Sequence, residues 1–396
     1  MTMERGGASG FVGSHPTGIG RRRFLAATGA VGMGALAGCP GLNGGGDGAD
    51  GLPGELDIAD FRGSGRIVEG RPAPGGTSIT ELPDLEGELT FYLSFGEGGL
   101  YLDLIDLFAD YYPNFEYGHT QQSATGLANR IVNEVDAGAS QADVFIAVDA
   151  GSLSAVAKAG AARTLPDDVL EPVPARLRTD QWVGIAGRAR AVPYNAEQLD
   201  ASDVPASVQE FPDVAAFQDD FGWAPTYSAF QSFVTAMRLL RGREETKSWL
   251  EGMLDAGVGT FGNEFLVSNA AANGEIAAGF ANHYYALRVR NQRPNAPVEL
   301  AFTSGDAGAL INVSGAAIVE GTDDPELAEN FVRHLLSAEA QEFFATRTFA
   351  YPTVPDVEPV GDLPTIDELN PPDVDLSALA DVTPTLELLR ETDVLG

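Results

Sequence analysis

The chain has 396 residues, 44% of them hydrophobic, enough for one large or two medium domains with packed cores. Its formal net charge is −33, from 57 acidic and 24 basic side chains, and its only lysines are Lys158 and Lys247. The acid is spread along the chain, which points to a halophilic surface whose self-repulsion is screened at high salt. That balance argues against nucleic acid as a partner, because phosphate binding needs a basic face.

The N-terminus carries two export signals. Arg21-Arg22-Arg23-Phe24-Leu25 resembles the twin-arginine motif, and a short small-residue apolar run follows from Ala26 to Ala37. That run is too short and glycine-rich for a span of about 20 residues. It ends in Leu36-Ala37-Gly38-Cys39, which resembles a lipobox. Residues 1–38 therefore read as a signal peptide, and Cys39 as the lipidated first residue of the mature chain. Cys39 is the only cysteine, so the chain has no internal disulfide and no Cys-rich metal site. Residues 39–88 read as a flexible tether, with Gly44–Gly48 and Pro72–Gly76 opposing regular structure.

Regular elements are expected from Leu89 onward. Leu89–Leu93 reads as a strand, and Leu100–Tyr112 as a helix with Leu104, Leu107, Phe108 and Tyr111 on one face. Phe115–Tyr117, a helix over Thr125–Ala137, the apolar strand Asp143–Val148 and a helix over Ser152–Ala162 follow. This alternation implies a mostly parallel sheet covered by helices. Ligands of such sheets bind beyond the carboxyl ends of the strands, here the loops 94–99, 120–125 and 149–151.

Val183–Asn195 reads as the crossing into a second lobe, residues 196–299, with helices at Phe230–Leu240 and near Val267–Ala272. The chain returns through Gly308–Val313 and Ala316–Val319. A helix opened by Asp323-Asp324-Pro325 follows. The first lobe thus comprises 89–195 and 300–352. The Pro- and Asp-rich segment 353–396 carries regularly spaced leucines and is expected to pack along the body.

The most informative stretch is Gly279–Arg290. Tyr284 and Tyr285 follow the apolar Gly279-Phe280, and at a strand end or helix start both rings can turn to one cleft. A phenol stays protonated near neutrality, with a reference pKa of about 10. A hard, highly charged cation beside it favours the phenolate, so the pair suits ferric iron. Tyr111-Tyr112 shows that the dipeptide alone does not specify a site; that pair precedes Pro113 and reads as a helix end.

Several strings in order carry a family resemblance: Ala142–Phe145, Ala224–Gln231, Gly279–Tyr285, Gly308–Gly315, Ser337–Gln341 and Thr348–Pro352. Over about 89–355 the chain resembles the ferric-iron-binding proteins that feed ABC importers. The resemblance implies an α/β fold of the two-lobed periplasmic-binding-protein-like type II. In it, two mostly parallel sheets are flanked by helices, with a hinge and an interlobe cleft. It implies Fe(3+) as cargo, bound by Tyr284 and Tyr285 in their Asn-x-Tyr-Tyr setting, with Tyr227 as a third phenolate or a residue of the cleft wall. It also implies a small synergistic anion near Ser228, Ala229 and Asn263, since helix N-terminal amides suit anions.

The loop 94–99 departs from the family, having neither the usual His nor an anion-binding Arg. Glu97 and Asp149 are hard oxygen donors that could substitute as metal ligands. For both, a solvated loop carboxylate is the competing reading. His283 is expected to face away from the pair.

No nucleophile elbow, His-x-x-x-His pair or P-loop occurs, which argues against an enzyme or the importer's own ATPase. The expectation is a monomeric substrate-binding lipoprotein on the outer face of the cytoplasmic membrane, delivering iron to an ABC permease and its ATPase. The alternative is a protein of the same fold for thiamine, a polyamine or an organic anion.

Overall fold

A computed structural model describes residues 57–95 and 100–396. Cys39, the twin-arginine stretch and Glu97 lie outside the described residues. Among the described residues no helix is long and apolar enough to cross a membrane.

The stretch expected to be a tether is, from Asp57 onward, packed on the body. Helix α1 (Ile58–Phe61) is capped by Asp57, whose carboxylate accepts from the Ala59 N–H, and it buries Phe61 against Phe108. Arg62 and Arg71 both reach the fully buried carboxylate of Glu342, at 2.6 and 2.9 Å. Val68, Ile79 and Leu85 are buried too. These few buried apolar side chains and the charged anchors hold the segment together, and a count of its apolar residues does not register the anchors.

Strand β1 (Gly87–Ser94) pairs in parallel with β2 (Phe115–Gln122) and β3 (Val144–Ala147). Helices α2 (Leu100–Tyr111), α3 (Ala124–Asp136) and α4 (Ala150–Lys158) join and cover these strands. Side chains of Ser123 and Asp149 cap α3 and α4, taking up amides that the first turn leaves unpaired. A short helix, α5 (Asp167–Leu170), leads toward β4 (Val183–Asn195).

β4 is the spine of the molecule. Its first half pairs antiparallel with β10 (Ile311–Ile318), which in turn pairs antiparallel with β3. Its second half pairs antiparallel with β7 (Ala278–Gly279), β8 (Ala281–Asn282) and β9 (Val298–Ala301). Beyond β7 lie β5 (Phe221–Trp223) and β6 (Gly259–Thr260), joined by parallel pairing. The order along the sheet is β2-β1-β3-β10-β4-β7-β5-β6. Each end is thus parallel, and the antiparallel joints gather at β4 and β10. Gly315 lets β10 approach closely, since a Cβ there would lie 2.6 Å from the Val183 carbonyl oxygen.

The β5 end is covered by α6 (Ser228–Arg241), α7 (Arg243–Asp255) and α8 (Glu264–Asn273). Its core is aromatic: Phe211 stacks on Phe280 at 5.3 Å, and Phe233 and Trp249 pack beside them. Helix α7 was not among the expected elements, although Thr246, Trp249, Leu250 and Met253 form a buried face at helical spacing. Helix α9 (His283–Gln292) follows β8, and α10 (Pro325–Leu335) and α11 (Ala338–Phe343) follow β10. The chain ends in a 3-10 turn, Leu376–Ala380, and α12 (Thr383–Glu391), with Leu376, Leu379, Leu388 and Leu389 buried.

Candidate metal site

The chain leaves β8 at Asn282 and turns straight into α9, which puts Tyr284 and Tyr285 in the first helical turn. Three interactions fix this corner. The Asn282 N–H donates to Glu264 Oε2 at 2.8 Å, and Glu264 is itself paired with Arg190 of β4. The Asn282 side-chain amide donates to the Tyr284 hydroxyl at 3.3 Å.

The two rings lie 4.4 Å apart between centroids and are almost wholly buried. Tyr227 precedes α6 and is half-buried, and its hydroxyl is hydrogen-bonded to that of Tyr285. Three phenols from two helix starts therefore converge. The Arg288 guanidinium, one turn along α9, lies 4.8 Å over the Tyr284 ring and 5.7 Å over that of Tyr285. Burial above all, then the neighbouring phenols, raises the Tyr285 pKa well above its ordinary value. A proton leaves this phenol only if a strong positive charge takes its place.

Next to the phenols is a cavity of about 430 Å³. Asn282 lines it and also bonds Tyr284, so one residue connects the two features. Asp149, Arg188, Ser228, Ala229 and Asn312 also line it. Arg190 is the unexpected lining residue. It is 2% exposed, and its Nε and Nη2 have no hydrogen-bond partner among the described residues. Phe230, Phe233 and Phe280 surround its guanidinium at 5.3 to 5.9 Å. A buried cation with idle donors beside a cavity favours an anion there. The sequence signal for it was a pair of arginines, Arg188 and Arg190, in a strand otherwise rich in apolar residues.

The residues expected at a metal site are thus only partly gathered. Tyr227, Tyr284 and Tyr285 come together, and Ser228 and Ala229 face the adjoining cavity. Asp149 does not join the phenols. It caps α4, accepting from the Ser152 N–H at 2.7 Å and the Ser152 hydroxyl at 3.1 Å. Asn263, unlike Asp149, does not line the cavity; its side-chain oxygen caps α8 through the Leu266 N–H at 3.0 Å. Both are drawn off by helix ends, where unpaired amides compete for any nearby acceptor. Among the described residues no group of three His, Cys, Asp or Glu is placed to hold a metal.

The family described as bacterial extracellular solute-binding protein matches residues 103–370. The chain belongs to that family. Among similar solute-binding proteins, the "Major ferric iron-binding protein" of Neisseria meningitidis is 29% identical over 260 residues, covering 64% of this chain and 78% of the relative. "Iron uptake protein A2" of Synechocystis is 30% identical over 256 residues, covering 60% and 71%. Iron-bound HitA from Pseudomonas aeruginosa superposes with a TM-score of 0.67 at 28% identity, over 77% of this chain and 99% of that one. A Trichodesmium protein solved with iron and citrate gives a TM-score of 0.64 at 23% identity, over 77% and 99%, and shows the shared fold. The two-lobed α/β class expected from the sequence is the class of these neighbours.

In this solute-binding protein His283 serves the scaffold: its ring packs edge-on against that of Tyr284, 5.6 Å between centroids, and both its nitrogens are taken up by the backbone. It is fully buried, its Nδ1 accepts from the Ala189 N–H at 3.2 Å, and its Nε2 donates to the Phe349 carbonyl at 2.8 Å. These partners assign the tautomer. Burial lowers its pKa to about 4, which keeps the ring neutral.

Proposed function

We propose that the protein is the exported binding component of an ABC importer, and that it captures ferric iron with Tyr227, Tyr284 and Tyr285. The observation that carries this reading is the convergence of three phenol oxygens at two helix starts, in a chain whose relatives are named for ferric-iron binding and iron uptake. Phenolates are hard, charged donors that suit a hard trivalent ion. A small anion in the cavity beside Ser228, Ala229 and Arg190 completes the coordination and accepts from the guanidinium nitrogens that Glu264 leaves idle. Two lobes, 89–195 with 300–352 and 196–299, close about β4 and the return near 298–303. Ligand that prefers the closed form shifts the population toward it and presents a surface to the permease. In this reading the protein is not an enzyme, is a monomer, and is held to the membrane by lipid on Cys39.

Adding ferric iron as a citrate or nitrilotriacetate complex to the metal-free protein tests the reading. A visible band from phenolate-to-iron charge transfer is expected. The second reading, a binding protein for an organic anion alone, is favoured by Arg188 and Arg190 on the cavity wall. It takes over if iron gives no band while citrate alone raises the melting temperature.

A further inference from the structure

The C-terminal segment lies beyond the stretch that the family match covers, which ends at residue 370. It nevertheless supplies part of the ligand cavity: Leu379, Ala380 and Val382 line it together with residues of α4, β4 and α6. The segment is anchored at both ends to different parts of the molecule. At one end, Ala380 lies against Gly151 so closely that a Cβ on Gly151 would come within 2.8 Å of the Ala380 Cβ. Lys158, at the end of α4, donates to the Ser377 hydroxyl at 3.0 Å. At the other end, Thr385 of α12 meets the Thr235 hydroxyl at 2.7 Å and accepts from Arg238 at 3.0 Å, both on α6. Glu391 pairs with Arg243 and, at 2.9 Å, with Lys247 on α7.

Helix α4 follows β3, and α6 and α7 belong with β5, so the segment ties the two ends of the sheet to each other. Closure through ordinary hinge motion would have to carry the segment along or detach one anchor.

We propose that residues 376–391 form a strap that bridges the two halves over the cavity, sets the size of ligand admitted and slows its release. Leu379, Ala380 and Val382 are the specificity-determining side chains of the strap, an apolar wall facing the polar residues of α4 and α6. This inference rests on the proposed ligand only for its release measurement.

The test uses the full chain and the double variant Thr385→Val, Glu391→Gln. It removes the Thr385 hydrogen bonds to α6 and the Glu391 charge that pairs with α7. It leaves the buried Leu388 and Leu389 in place, touches no cavity residue, and keeps both side chains nearly their size. Release of ferric iron into excess chelator, followed by loss of the visible band, is expected to be about tenfold faster than in the wild type, the worth of one or two lost hydrogen bonds. A second measurement needs no iron. With Cys39→Ser, spin labels at Ala159→Cys on the α4 side and Glu245→Cys on α7 should give one narrow distance distribution. The strap variant should broaden it toward longer distances. An unchanged distribution in the variant overturns the proposal, as does an unchanged release rate. If the wild type binds no iron, the functional reading falls and the distance measurement alone decides the strap.

Discussion

Arg190 and Glu264 form an ion pair that is wholly buried, and it joins the central strand to the corner that carries Tyr284 and Tyr285. One carboxylate oxygen of Glu264 meets Arg190, and the other accepts the N–H of Asn282, two residues before Tyr284. A single side chain therefore sets the register between β4, α8 and the start of α9.

Replacing Glu264 should accordingly damage both stability and the site. Glu264→Gln leaves the Arg190 charge buried without its counter-charge, a loss of about 3–5 kcal/mol for a broken buried pair. Urea denaturation of the metal-free protein measures it. A change under about 1 kcal/mol would show that the pair does not hold this corner.

Removing a phenol oxygen tests the ligands themselves. Tyr284→Phe and Tyr285→Phe should each weaken iron binding sharply and diminish the visible band, with the fold intact because only one oxygen is lost. Tyr111→Phe is the control, since Tyr111 is half-buried at the end of α2. Tyr112 is a poorer control, because its hydroxyl bonds His334 at 2.8 Å. Unchanged iron affinity in the Tyr284→Phe, Tyr285→Phe double variant would remove the site from these residues.

Iron capture should depend on pH in one direction. The Tyr285 phenol, raised in pKa by burial, holds its proton in the metal-free protein and must release it on binding. Protons therefore compete with iron, so affinity rises with pH and falls as the solution is acidified. Proton release on iron addition, followed in weakly buffered solution, measures the effect. Iron uptake without release would exclude phenolate ligation.

Two buried histidines provide a separate check on the fold. Burial lowers the pKa of His283 and of His334 to about 4. The unfolded chain binds protons at these rings near pH 6.5, so each contributes stability that is full above that value. That contribution is lost as pH falls toward 4. Each shift is worth on the order of 3 kcal/mol. Nitrogen chemical shifts of both rings should remain those of neutral imidazole from pH 8 to pH 5; protonation near pH 6.5 would contradict their placement.

Anchoring is tested in the cell. Lysine at both Arg21 and Arg22 should block export, and Cys39→Ser should release the protein into the medium. Retention of the Cys39→Ser protein on salt-washed membranes would show that another element anchors it.

What the sequence alone determined was local in origin. Apolar spacing placed α2 and α3 to within a residue or two, because one buried face repeats every turn. The Asn-x-Tyr-Tyr string marked two phenols at a strand end or helix start, and the order of strings indicated the fold class. Tertiary structure decided what depends on distant partners. Arg62 finds Glu342 280 residues away, which turns part of an expected tether into a packed arm. Asp149 was a candidate ligand by residue type and Asn263 an anion contact by resemblance, and each is held by a helix end that its own neighbours create. Arg190 was visible only as one of two arginines in a strand otherwise rich in apolar residues; its idle donors and the cavity beside them exist once β4, α6 and the C-terminal segment meet. Periodicity records which face of an element is buried, whereas the partner of a polar group is set by the packing of the whole chain.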